Sequence, residues 1–141
     1  MGVQRRHGVG DYTISTTADI NGLGSIVSIT GNLQVVGDID SLQGLEMLIS
    51  INGNLIIGDA PADELTWPPP PPVGTQLTTL FGLNNLKSIG GDLIISNNAL
   101  LSSLSDLENL VSIGGSLNCW QNSSLAGLGG PGKLVSIGEK F

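Results

Sequence analysis

Apolar and polar residues alternate with a period of two after each of several regularly spaced glycines. The apolar pairs of this pattern are Leu33 and Val35, Leu55 and Ile57, Leu93 and Ile95, and Leu117 and Cys119. Such spacing is typical of a β-strand that buries one face. A degenerate earlier copy runs from Gly10 to Ile14. The pattern predicts a series of short, similar strands.

These strands belong to an internal repeat. The pattern Ser-Ile-x-Gly begins at Ser28, Ser50, Ser88 and Ser112, and it returns at Ser136 with its last position changed. The intervals are 22, 38, 24 and 24 residues, and the long one contains an insertion. A second short extended piece precedes each corner, as in residues 86–89. Because a unit of this length cannot cover its own apolar positions, the repeat predicts a solenoid whose stacked coils form the core.

A glycine ends each copy of the tetrapeptide and lies between two extended segments. These corner glycines are Gly31, Gly53, Gly91 and Gly115. Either a positive φ or a close backbone approach favours glycine at such a corner. Aligned serines and asparagines, such as the serines of the tetrapeptide, suit hydrogen-bonded ladders between coils, and they equally suit a simple turn preference.

The repeat resembles the receptor L-domain repeat, a leucine-rich-repeat-like solenoid of surface and cell-wall proteins. The resemblance rests on Gly-Leu-x-x-Leu-x-Ser-Ile-x-Gly-x-Leu-x-Ile followed by Leu-x-Ser-Leu, with its cleanest copy at residues 82–104, and it covers about residues 10–141. It implies an all-β, right-handed parallel β-helix of about five coils of 22–24 residues. It also implies ligand recognition or surface architecture, and an extracellular or cell-surface location. The alternative fold is a leucine-rich-repeat α/β horseshoe. No ligand-contact residue is carried over.

The domain boundaries follow from where the repeat begins and is interrupted. We expect an N-terminal tail at residues 1–9 and the solenoid at residues 10–141, with a Pro-rich insertion at residues 60–76. No signal peptide is visible, although members of the resembled family usually carry one. The coils are unfinished at both ends, so we expect a fragment whose partners include neighbouring domains of a longer chain.

The insertion contains Trp67 and a run of prolines from Pro68 to Pro72. Such a run favours the extended polyproline II conformation. Two interpretations stay open: an element offered to an aromatic-lined groove of another protein, or a stiff loop whose Trp67 folds back on the solenoid.

Alternation places one row of side chains on the outer face of the second strand of each coil. This row holds Gln34, Ile56, Ile94 and Asn118, and the next outward row holds Val36, Gly58, Ser96 and Trp120. Exposed apolar and aromatic side chains mark binding surfaces. The candidate binding residues are therefore Gln34, Ile56, Ile94, Asn118, Trp120 and Trp67. The competing interpretation is that the insertion or a neighbouring domain covers this face.

Composition and charge narrow the classes of partner. The 141 residues include 21 glycines and only 4% aromatic residues, so the core must come from Leu, Ile and Val. Twelve acidic against five basic residues give a net charge of −7. Because Lys and Arg supply most of the affinity for phosphates, this argues against nucleic acid and anionic membranes as partners. The apolar runs are too short to insert into a membrane.

The sequence contains few of the residues from which catalytic and metal sites are built. His7 is the only histidine and Cys119 the only cysteine, so we expect neither nucleophilic catalysis nor a zinc site, and no disulfide within the chain. A calcium site at Asp59, Asp63 and Glu64 is disfavoured because calcium takes six to eight oxygens.

The predicted function is a non-catalytic recognition or structural module that binds a protein or glycan through an exposed sheet face, without cofactor or metal. One alternative is a polysaccharide-cleaving enzyme that uses paired carboxylates, Asp38 with Asp40 or Asp59 with Asp92. The other is an ice-binding solenoid, although the threonines near Thr13 do not recur in later coils.

Overall fold

The computed structural model describes residues 6–8, 10–37, 39–58, 75–120, 122–125 and 136–137. Within these residues lie one short α-helix, α1 (Thr17–Asn21), and a 3₁₀ helix at Ser105–Leu107. The strands are β1 (Arg6–Gly8), β2 (Tyr12–Ile14), β3 (Ile26–Ile29), β4 (Leu33–Val35), β5 (Ser50–Ile51), β6 (Leu55–Gly58), β7 (Ser88–Ile89), β8 (Leu93–Ser96), β9 (Ser112–Ile113), β10 (Leu117–Trp120) and β11 (Ser136–Ile137).

The strands form two parallel sheets. The first sheet has the order β1-β3-β5-β7-β9-β11, and the second has the order β10-β8-β6-β4-β2. The register of the first sheet joins the tetrapeptide serines into one row, Ser28, Ser50, Ser88, Ser112 and Ser136. Strand β1 lies within residues 1–9, where the sequence predicts a tail, and it pairs with β3.

Leucine, isoleucine and valine fill the core, as the composition predicts. The inward residues of the second sheet are nearly inaccessible: Leu33, Leu55 and Leu93 are 0% exposed. Tyr12, Cys119 and Leu125 are only partly buried and pack against this core. Aligned aliphatic side chains therefore replace the large aromatic rings of an ordinary core.

An arm of successive turns leads the chain from the second sheet to the first, and its leucines recur every three residues. Leu80, Leu83 and Leu86 are all fully buried, and the backbone N–H of Leu83 donates to the carbonyl of Leu80 at 3.0 Å, as Leu86 does to Leu83. Such i to i−3 bonds are typical of 3₁₀ turns, in which side chains three residues apart share one face. The same bonds recur in the arms that contain Leu45 and Leu107.

The prediction of an all-β, right-handed parallel β-helix is wrong. The two parallel sheets do not close on one another, and their strands alternate with helical turns and loops, which is an α/β arrangement. The physical reason lies in the arm, where a period of three buries one leucine per turn and favours helical geometry over extended backbone. The prediction relied on the period of two after each glycine and overlooked this second period.

Candidate binding surface

The predicted outward row crosses the second sheet in register. Thr13 of β2 lies beside Gln34, which is followed by Ile56, Ile94 and Asn118 on the next three strands. Because neighbouring strands lie about 4.8 Å apart, the five side chains span about 19 Å. The row thus brings together four of the six candidate residues.

Exposure differs along this row. Thr13 is exposed, and Gln34, Ile56 and Asn118 are half-buried. Ile94 is only 7% exposed, so it offers little surface to a partner. The row is therefore a mixed amide and aliphatic surface around a buried centre.

The second outward row offers less surface at its described side chains. Ser96 is fully buried, Gly58 is buried and Val36 is half-buried. The backbone of Trp120 lies beside Ser96 at the end of β10. Trp67 and Pro68 to Pro72 lie outside the described residues.

A ladder of side-chain oxygens fixes the start of each strand of the second sheet. The Oδ1 atom of Asp11 accepts the backbone N–H of Asn32 at 2.8 Å, and that of Asn32 accepts the N–H of Asn54 at 2.7 Å. In the same way, Oδ1 of Asn54 accepts the backbone N–H of Asp92 at 2.7 Å, and Oδ1 of Asp92 accepts that of Ser116 at 2.8 Å. We call the side chains of Asp11, Asn32, Asn54 and Asp92 the Asx ladder. It holds the coils in register beneath the outward row.

The Asx ladder explains the corner glycines. A Cβ atom on Gly53 would lie 2.4 Å from Oδ1 of Asn32 and 2.5 Å from the carbonyl oxygen of Gly31. Gly53 has no positive φ, so close approach is the reason for glycine here. The sequence predicted ladders of aligned serines and asparagines, but the residues named for them were the tetrapeptide serines. An Asp or Asn directly after the corner glycine is visible in three of the coils and marks this row.

A second polar network holds the far end of the second sheet. Asn98 is fully buried, and its Nδ2 donates to the carbonyl of Ile57 and to Oδ1 of Asn122, both at 3.0 Å. Its Oδ1 accepts the hydroxyl of Thr75 at 2.7 Å, and Asn122 in turn donates to the carbonyl of Ile95 at 2.9 Å. A buried amide is tolerated because its polar atoms have partners.

Cys119 lies on the inward side of β10, as alternation predicts. Its thiol is free, half-buried and packed against the core. Burial raises its pKa from the ordinary value to about 11. Since the thiolate is the reactive form, the sulfur is a weak nucleophile at neutral pH.

Only two of the four carboxylates considered for catalysis lie within the described residues, and these two have different surroundings. Asp92 belongs to the Asx ladder, whereas Asp40 is exposed on the surface. Asp38 and Asp59 lie outside the described residues, as do Asp63 and Glu64. Within the described part of the chain, the structure contains no group of three or more His, Cys, Asp or Glu side chains that suits a metal ion. None of the described helices has the length and hydrophobicity of a membrane span.

An apolar groove lies beside the first sheet, away from the predicted row. Its volume is about 320 Å³, and its lining consists of Val27, Glu46, Met47, Ile49, Asn85 and Lys87. Sequence reasoning missed it. The sequence signal for this groove is the residue before each tetrapeptide serine. These residues are Val27, Ile49, Lys87 and Val111, and each begins an extended segment with its side chain on the outer face.

Comparison with protein-family models and with curated proteins finds no match to this chain. The resemblance to receptor L-domain repeats therefore stays a prediction from the repeat itself.

Proposed function

We propose that the chain is a non-catalytic recognition or structural module of a cell-surface or secreted protein, and that it binds a protein or glycan through the outward row of the second sheet. The observation that carries the proposal is the register of Gln34, Ile56, Ile94 and Asn118 on four neighbouring strands. It supports a continuous surface built on a rigid sheet.

The two faces of the second sheet differ in what constrains them. In the central coils the inward positions keep the same aliphatic character because they fill the core, as Leu33, Leu55 and Leu93 do. Outward positions change from an amide at Gln34 to an aliphatic side chain at Ile56. Side chains that no core requirement fixes are free to serve recognition, and a rigid scaffold lowers the entropy cost of binding.

Amide and aliphatic groups suit either proposed class of ligand. Amides exchange hydrogen bonds with peptide groups or sugar hydroxyls, and aliphatic side chains contact the apolar parts of both. The surface location of the protein rests on the resemblance to receptor L-domain repeats.

The proposal is tested by applying the purified chain to a glycan array and a protein array, and by measuring the affinity of ligands found there for variants of the row. Ile56→Glu is expected to weaken binding at least about tenfold, since it places a charge where an apolar contact is made. Gln76→Glu adds the same charge at an exposed position off the row and is the matched control.

Two further variants separate binding from folding. The double variant Gln34→Ala and Asn118→Ala removes only half-buried polar atoms, and it is expected to weaken binding while the thermal midpoint stays unchanged. Trp120→Ala is expected to do the same. The proposal fails if all these variants fold normally and bind like the unmodified chain.

A further inference from the structure

The apolar groove exposes more hydrophobic surface than the row proposed for ligand binding. Met47 is 48% exposed and Ile49 is 41% exposed, and Val27 lies beside them in the lining. Large apolar side chains gathered in one concave surface mark contact sites on otherwise polar molecules. The groove is therefore a candidate contact site for a partner that covers these side chains.

The backbone row from Val27 through Ile49 to Lys87 lies inside the first sheet and is already paired from coil to coil. The N–H of Ile49 donates to the carbonyl of Val27 at 2.8 Å, and the N–H of Lys87 donates to the carbonyl of Ile49 at 2.7 Å. Strand addition needs a free sheet edge, so it is excluded at this place. A partner must be recognised by side chains alone.

The groove carries one charge of each sign. Among the residues whose side chains the structure describes, Lys87 is the only lysine or arginine, and it forms no ion pair with them. Glu46 uses Oε2 to accept the backbone N–H of Gly44. Its Oε1 has no partner in the described part of the chain. Both charges can thus pair with a partner's charges, next to the apolar side chains of the groove.

We propose that the groove is the contact between two copies of this chain, related by a two-fold axis. A partner with charge of one sign would leave either Glu46 or Lys87 unmatched at a desolvated contact, which is costly. A second copy matches both, because a two-fold axis in the plane of the surface between Glu46 and Lys87 exchanges their positions. Lys87 of one copy then faces the partner's Glu46, and the reverse pair forms at the same time.

The apolar side chains complete this contact. Met47 and Ile49 line the same groove as the two charges, and the two-fold axis brings the groove of one copy against the groove of the other. Aliphatic burial then supplies the free energy, while the two ion pairs set the relative orientation. The contact lies apart from the outward row of the second sheet, so it does not depend on the proposed ligand binding.

Sedimentation velocity over a concentration series of the full chain tests the proposal by charge exchange. Glu46→Lys and Lys87→Glu each place like charges opposite one another, so each variant alone is expected to raise the dimer dissociation constant at least about tenfold. An equal mixture of the two variants restores opposite charges at both positions. The mixture is therefore expected to sediment again as a dimer, with one copy of each variant.

Controls separate a broken contact from a broken fold. Gln76→Glu changes the net charge away from the groove and is expected to leave the dimer intact. Because Glu46→Lys also removes the acceptor of the Gly44 N–H, circular dichroism follows folding, and Ile49→Glu serves as a second disrupting variant. The proposal is overturned if the unmodified chain stays a single copy up to about 1 mM, the limit of weak association. It is also overturned if the mixed, folded variants do not associate.

Discussion

The two ends of the second-sheet strands are built by different rules. In this sheet β4, β6, β8 and β10 each begin two residues after a corner glycine. At these starts, one Asx side chain after another accepts a backbone N–H of the next coil. At the other end, the coils do not share one pattern of hydrogen bonds. Strand β2 leads into α1, where the side chain of Asp19 accepts the backbone N–H groups of Ser15 and Thr16 just before the helix, whereas β8 leads into the buried Asn98 network. A uniform start fixes the register, and variable ends allow each coil to continue differently.

The backbone reflects the same contrast. The corner glycines have ordinary φ values, and they are glycine because neighbouring coils approach closely. At the strand ends, Gly37 and Asn97 occupy aligned positions with φ of 89° and 59°. Glycine and asparagine are the residues that adopt this left-handed conformation most readily. The corner glycines before β4, β6, β8 and β10 are therefore required by space, whereas Gly37 and Asn97 are required by conformation.

The largest loss of stability is expected when a methyl group is added at a corner glycine. Gly53→Ala places a Cβ atom within 2.5 Å of the carbonyl oxygen of Gly31, so a coil must shift. We expect a loss of about 3 kcal/mol in the free energy of unfolding, measured by urea denaturation. Gly24→Ala is the matched control, because its nearest atoms lie 3.7 and 3.8 Å away. Similar losses in the two variants would contradict the role of the corner.

The buried network at the strand end comes next. Asn98→Ala removes the donor to the carbonyl of Ile57 and the acceptor of the Thr75 hydroxyl. Leaving buried polar groups without partners is expected to cost about 2 kcal/mol in the free energy of unfolding, again measured with urea. Asn118→Ala, the same change at a half-buried position, is expected to cost less than about 0.5 kcal/mol. An equally small loss at Asn98 would show that water replaces the amide.

A smaller effect is expected when one rung of the Asx ladder is removed. Asp92→Ala deprives the backbone N–H of Ser116 of its 2.8 Å acceptor, at a cost of about 1 kcal/mol in the free energy of unfolding. Asp92→Asn keeps a side-chain oxygen at the same place and is expected to retain most of the stability. If both variants lose equally, the negative charge matters and not the hydrogen bond.

The smallest expected effect depends on pH and concerns the end of β2. Backbone N–H groups of Ser15 and then Thr16 hold the pKa of Asp19 below its ordinary value of 3.8. The stabilising contribution of Asp19 is therefore present above pH 3.8 and is lost as the pH falls through the lower folded-state pKa. The thermal midpoint measured between pH 5 and pH 2 should fall less steeply in Asp19→Asn. Identical pH profiles would show that the cap is not coupled to folding.

The sequence predicted the strands of the second sheet well, because alternation at Leu33 and Val35 or at Leu93 and Ile95 has one simple structural meaning. It failed at the arm, where Leu80, Leu83 and Leu86 repeat every three residues and make helical turns. Of the candidate site, the register of the row was predictable from the period. The burial of Ile94 was not, since alternation predicts on which face a residue lies and says nothing about what covers that face.

Every rung of the Asx ladder joins a coil only to the coil beside it. The molecule therefore behaves as a one-dimensional array, in which cooperativity passes from neighbour to neighbour and not through a shared centre. A defect at Gly53 would therefore weaken the coupling between the coils on either side of it more than the coupling between distant coils. The ladder thus sets how far along the array a local disturbance is felt.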